Sequence, residues 1–176
     1  PGKMVATFAL GSQKLYDFVD ENPAVNLFRG NWVNDRHVIG QNNKMVSINT
    51  TIEVDLTGQC ASESIGHKHV SGTGGQADTA IGAQNSPDGK SIIALHSTTE
   101  VSDGEGGKKT VSKIVPQLTP GAAVTLSRND VDYVVTEHGI AYLRGTSVRE
   151  RVERLIKIAD PQFRDELRKK AEEYKI

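Results

Sequence analysis

The sequence predicts an α/β domain, and three observations carry that expectation. Short apolar runs such as Ser91-Ile92-Ile93-Ala94-Leu95 and Val131 to Val135 have the length and branching of buried strands. Segments with apolar residues at helical spacing stand among them, above all near the C-terminal end. Finally, Gly72-Thr73-Gly74-Gly75 leads into the alanine-rich segment Gln76 to Ala83, a turn feeding a short helix.

In chain order, Met4 to Leu10 reads as a buried strand. A start at Pro1-Gly2-Lys3, without initiator Met and directly before that strand, suggests a chain cut from something longer. Ser12 is placed to cap a helix carrying Leu15, Phe18 and Val19, which Asn22-Pro23 ends. Val25 to Phe28 is strand-like, and Asn34 or Asp35 caps a helical turn through His37-Val38-Ile39-Gly40.

Met45 to Leu56 alternates apolar and polar residues as a half-buried strand does. Thr57-Gly58 turns, and Gln59 to Ile65 returns as the second arm of a hairpin. Glu53, Asp55 and Glu63 share its polar side. Paired carboxylates are acid/base candidates, but a solvated strand face explains them and is preferred. His67-Lys68-His69 lacks the further ligands a metal site needs, so no metal is expected.

Asn85 to Gly89 is a turn, and Val101 to Lys109 a polar, glycine-rich tip expected to be the most mobile loop. Val111 to Val115, Ala122 to Leu126 and Val131 to Val135 supply further strands. Ser147 and Glu150 form a capping-box pattern ahead of a helix with Val148, Val152, Leu155 and Ile156 on its apolar stripe. Asp160-Pro161 opens a last helix whose Phe163, Leu167, Ala171 and Tyr174 face inward.

Composition narrows the classes of function. The 176 residues suit one domain with a real core. A net charge of −1, with both signs interleaved, argues against a nucleic-acid partner. Cys60 is the single cysteine, so neither a disulfide framework nor a thiolate metal cluster is expected. No apolar run approaches the roughly 18 residues of a membrane span and no signal peptide is recognisable, so a soluble cytoplasmic protein is expected.

Ser71 to Asp78 is the stretch with chemical content. If its glycines lead into a helix, unpaired N–H groups and the positive helix end converge on one spot. That spot suits an anion, or an oxygen that becomes one during a reaction. The spacing matches neither G-x-x-x-x-G-K-[ST] nor G-x-G-x-x-G, so a bare tight turn and an oxygen-binding loop remain side by side.

Three long runs then carry a resemblance: Asn49 to Gln59, Ser71 to Asp78, and Asn129 to Ala141, with Leu143 to Arg151 following in order and spacing. Together they resemble the acetyl-CoA hydrolase/transferase family, and within it the 4-hydroxybutyrate and butyrate:acetate CoA-transferases. The resemblance implies an open, mostly parallel sheet flanked by helices, one of the family's two similar halves. Residues 1–176 would be the C-terminal domain, without the N-terminal domain and the nucleophilic glutamate. The implied reaction moves coenzyme A from an acyl-CoA to a carboxylate through a glutamyl-CoA thioester.

On this resemblance Gly75 presents an oxyanion-hole N–H, Gly74 lets the backbone approach, and Asn34 orients a reacting carboxylate. Gly74, Gly75, Ser71 and Glu100 are the positions expected to meet coenzyme A, which is a substrate. Glu100 departs from the family, whose relatives carry a lysine for the coenzyme's phosphates; Lys108 and Lys109 are the candidates to replace it. Neither Glu53, Glu63 nor Glu137 matches the nucleophile's position. Implied partners are an acyl-CoA, a small carboxylate, the chain's own N-terminal domain and further copies of the intact protein, without nucleic acid or membrane. The alternatives are an acyl-CoA hydrolase and a non-catalytic module that binds acyl-CoA or a partner domain.

Overall fold

The computed structural model describes residues 2–176, so Pro1, where the sequence reading places the abrupt start, lies outside them. The first half of the chain forms β1 (Met4–Ala6), α1 (Gln13–Val19), β2 (Val25–Leu27), α2 (Gly30–Val33) and α3 (Arg36–Gly40). It continues through β3 (Val46–Asn49), β4 (Glu53–Asp55), β5 (Cys60–Ala61), β6 (Ser64–Ile65) and β7 (Lys68–His69). Next come α4 (Gln76–Asn85), β8 (Lys90–Ala94), β9 (Thr98–Ser102), β10 (Lys108–Ser112) and β11 (Ile114–Val115). The chain closes with β12 (Tyr133–Thr136), β13 (Gly139–Tyr142), α5 (Val148–Ile158) and α6 (Arg164–Tyr174).

The expected α/β class holds, with the helices set against a mostly parallel central sheet. Four strands lie in the order β13-β12-β8-β3. β3, β8 and β12 are parallel, and β13 returns antiparallel to β12. Parallel neighbours need a long crossover. α4 supplies it between β3 and β8 and packs on both, while α5 packs on β12 and β13. Ala80 of α4 and Val152, Leu155 and Ile156 of α5 share one core with Ile93, Val134 and Ala141 of the sheet.

The other face of that sheet is bare. Strand register aligns Ile48, Ile92, Tyr133 and Tyr142 in one row across it. The Tyr133 and Tyr142 rings lie 4.8 Å apart, and Ile48 and Ile140 are 69% and 68% exposed. A second, three-stranded sheet (β11-β4-β5) is tied to α5 by the buried Arg151. Arg151 donates from Nη1 to Thr57 O at 3.2 Å and Arg128 O at 2.7 Å. Gly58 turns there with φ 94°, where a side chain would meet the guanidinium.

Several expectations are corrected. Met4 to Leu10 is strand only as far as Ala6 and is not buried; Phe8 and Leu10 are 69% and 80% exposed. Ser12 begins α1 without a side-chain cap bond, and no residue of α1 is buried. Met45 to Leu56 divides into β3 and β4, which lie in different sheets. At the break, Thr51 Oγ1 donates to Glu53 O and Ala61 O. Ala122 to Leu126 forms only a single bridge, Cys60 to Leu126. Of residues 101–109, 101–102 and 108–109 belong to the β9–β10 ladder, so the glycine-rich tip narrows to residues 103–107. Tyr174 and Val148 are exposed rather than inward, while Leu167 and Ala171 are buried. The last helix starts as a 3-10 turn at Pro161–Phe163, capped by the Asp160 side chain. The capping box of Ser147 and Glu150 is present as predicted.

The preferred solvated face for Glu53, Asp55 and Glu63 is overturned, since all three are buried. Each carboxylate is satisfied instead by hydrogen bonds, which is what burial of a charge demands. Glu53 accepts from Thr119 N–H at 2.7 Å and Thr119 Oγ1 at 2.9 Å. Asp55 closes the Thr57-Gly58 turn by accepting from Thr57 N–H, Gln59 N–H and both side chains. Glu63 accepts from Thr125 Oγ1 at 2.8 Å. Burial also pushes the Cys60 thiol up to about 12.

Candidate functional site

α4 runs against the parallel strands, so its N-terminus lies at their carboxyl ends. Two contacts at opposite ends of the helix fix this direction. Gln76, its first residue, donates from Nε2 to Thr50 O just beyond β3 at 2.6 Å. Past its last turn, Ser86 Oγ accepts from Met45 N–H just before the start of β3 at 3.1 Å. Gln76 Oε1 also accepts from Ser62 Oγ at 2.7 Å, which holds the helix start rigidly to the second sheet.

Gly75 is the N-cap of α4, and Gly74 before it has φ 59°, a conformation that favours glycine. Among the described residues the Gly75 N–H has no hydrogen-bond acceptor. Asn34 lies against it: a β-carbon added at residue 75 would sit 2.7 Å from Asn34 Nδ2. The capping role is taken by Asp35, whose side chain accepts from His37 N–H at 2.7 Å and Val38 N–H at 3.2 Å. Asn34 itself ends α2 with its side chain turned to the glycine loop. An ion pair of 3.0 Å between Arg36 and Asp78 ties α3 to the first turn of α4 and preserves that juxtaposition.

Asn34, Gly74 and Gly75 are thus brought together. Ser71 lies earlier in the exposed loop, its N–H on Glu63 O at 3.3 Å and its hydroxyl on Gly72 O at 3.0 Å. Glu100 stands apart on the β9–β10 hairpin, where it pairs with Lys108 at 3.0 Å. The acid that replaces the expected lysine therefore occupies one of the two lysines proposed to substitute for it.

The same sheet edge holds groups that the sequence reading did not use. Thr50, Leu95, His96, Lys113, Val135 and Glu137 line a cavity of about 430 Å³ beyond the ends of β3, β8 and β12. A larger cleft of about 530 Å³ lies between α5 and α6. There Arg149 pairs with Glu153 and Arg168 with Asp165 on their own helices, and the sheet edge, where the parallel strands end beside the start of α4, is the better chemical candidate. The signal for the edge residues was present in the sequence: Glu137 directly follows β12 and His96 lies two residues beyond β8, where open α/β sheets place ligands.

Ser97 governs the Glu137 carboxylate. Its hydroxyl donates to Oε1 at 2.6 Å and its N–H to Oε2 at 2.9 Å. The hydroxyl bond, the largest cause, holds the carboxyl down at about 2. An NMR titration of the Glu137 side-chain carbon is expected to give a midpoint near about 2, and Ser97→Ala to move it up toward the ordinary 4.5. Because the folded value is depressed, the associated stability is complete above about pH 4.5 and is lost as pH falls toward about 2. A midpoint for Glu137 at the ordinary value would remove this role from Ser97.

A glycine-capped helix at the carboxyl edge of such a sheet suits an anion, or an oxygen that gains negative charge during a reaction. The chain belongs to the acetyl-CoA hydrolase/transferase family: residues 11–171 match the model of the family's C-terminal domain. It is 54% identical over 166 residues to a succinyl-CoA:cyclohexane-1-carboxylate CoA transferase of Geobacter metallireducens, covering 94% of this chain and 36% of that protein. It is 53% identical over 167 residues to a 4-hydroxybutyrate coenzyme A transferase of Clostridium kluyveri, covering 95% of this chain and 37% of that one. The crystal structure of RipA from Yersinia pestis superposes with a TM-score of 0.87 at 42% identity, over 99% of this chain and 38% of RipA. The chain thus spans little more than a third of the length of these relatives.

Proposed function

We propose that this chain is the C-terminal domain of a CoA-transferase, which moves coenzyme A between an acyl-CoA and a small carboxylate such as acetate. The carrying observation is the free Gly75 N–H at the start of α4, with the Asn34 carboxamide beside it. Attack of a carboxylate on a thioester places negative charge on the carbonyl oxygen, and an N–H fixed in advance stabilises that charge without reorganising. The helix end adds its positive potential. Asn34 orients the reacting carboxylate. By the family resemblance the nucleophilic glutamate belongs to the part of the protein outside this chain; Glu53 and Glu63 here are committed to buried hydrogen bonds, and Glu137 accepts from Ser97.

The N-terminal domain is the proposed partner of this chain. Mostly parallel sheets are ordinarily covered on both faces, and here one face exposes Ile48, Ile140 and Tyr142, with Ile92 and Tyr133 half-buried beside them. Phe8, Leu10 and Trp32 extend the exposed apolar surface around the N-terminal segments.

Labelled acetate exchange with the full-length protein tests the reaction. Label appearing in acyl-CoA is the expected result. Loss of acyl-CoA without incorporation would make the protein a hydrolase, and binding without turnover would make it a module.

A further inference from the structure

We infer that Lys113 is the specificity-determining cation of the sheet-edge site, its ammonium receiving the carboxylate of a short-chain acid whose alkyl part lies against Ala94 and Val135. This rests on the CoA-transferase reading and names the residue that selects the carboxylate substrate.

Lys113 sits between β10 and β11 with its backbone held on both sides. Its N–H donates to Ser97 O at 2.8 Å and its carbonyl accepts from Val54 N–H at 2.9 Å. The side chain is therefore presented to the cavity from a fixed point. Among the described residues its ammonium has neither an ion-pair partner nor a hydrogen-bond acceptor, in contrast to Lys108, which Glu100 already holds. Glu137 shares the cavity, but its oxygens are engaged by Ser97. Burial lowers the Lys113 pKa, and the charge of Glu137 works against that loss.

An unpaired, partly desolvated cation costs free energy until an anion meets it. The walls decide which anion. Ala94, Leu95 and Val135 offer apolar surface, so one charged end and a short alkyl end match the lining. The cavity volume falls in the usual range of small-ligand sites, about 300–1,000 Å³. Thr50 lines it and also accepts from Gln76, the residue after Gly75, so the anion would lie close to the proposed oxyanion donor.

Steady-state kinetics of the full-length protein provide the first test. Lys113→Met keeps the stem and removes the charge. It is expected to raise KM for acetate and butyrate roughly 10- to 100-fold, the range for a hydrogen bond to a charged group. KM for the acyl-CoA should stay as in the wild type, and Lys113→Arg should recover part of the loss. Equal changes in both KM values, or none, would overturn the assignment. A second test is independent of turnover: methyl NMR of the protein titrated with sodium butyrate, with sodium chloride at matched ionic strength as control. Saturable shifts at Ala94 and Val135 that vanish in Lys113→Met are expected, and shifts that persist in the variant would refute the role. If the wild type shows no exchange at all, the transferase reading fails, and the NMR titration still decides what Lys113 binds.

Discussion

Gly75→Val in the full-length protein is expected to lower turnover by about 2.7–4 kcal/mol, or roughly 100- to 1,000-fold, the range for losing one oxyanion-hole donor. The geometry gives two reasons for so large an effect. A β-carbon at this position would lie 2.7 Å from Asn34 Nδ2, so the carboxamide must move or the loop must open. Either shift also moves the N–H of this N-cap residue away from the reacting oxygen. Gly75 is partly exposed and outside the core cluster, so the thermal unfolding of the variant should stay close to that of the wild type. The measurement is kcat alongside a melting curve. A variant that turns over normally would remove the glycine loop from the mechanism.

Ile93→Ala is expected to cost about 2–5 kcal/mol of stability, the range for truncating a large aliphatic side chain in a core. Ile93 lies on the central strand β8 and is fully buried against α4 and α5. Both neighbouring strands are parallel to it, so no local hairpin would hold β8 in place once its packing is lost. Ile48→Thr gives the contrast across the sheet. On the bare face it should shift the stability of the 176-residue chain by no more than about 0.5 kcal/mol, as surface changes do. In the full-length protein, where that face is proposed to be covered, the same change should cost clearly more. Urea denaturation of both variants in both forms checks the pair, and equal costs for Ile48→Thr in the two forms would argue against the covered face.

Legibility in the sequence followed the range of the interactions. The α5 cap was readable because Ser147 and Glu150 contact each other within one turn. The Thr57-Gly58 turn was readable for the same reason, although the pairing of its first arm, β4, with β11 was not. The carboxylates failed for want of range. Glu53 is satisfied by Thr119 and Glu63 by Thr125, partners that no periodicity reveals. The exposed Phe8 and Leu10 failed for another reason, since apolar composition marks a surface that needs covering without saying what covers it.

The candidate site divides in the same way. The glycine run was legible as a turn leading into a helix, whereas the roles proposed for Gly74, Gly75 and Asn34 came only through resemblance. Their contact, and the gathering of His96, Lys113 and Glu137 around one cavity, arise where separate strands end at a common edge. Sequence alone determined the α/β class, the helix starts and the glycine loop, because caps, turns and periodicity act between residues close along the chain. Tertiary structure alone decided which carboxylates are buried, which sheet face is bare and which side chains share the site, because those depend on strand order and register between segments far apart in the chain.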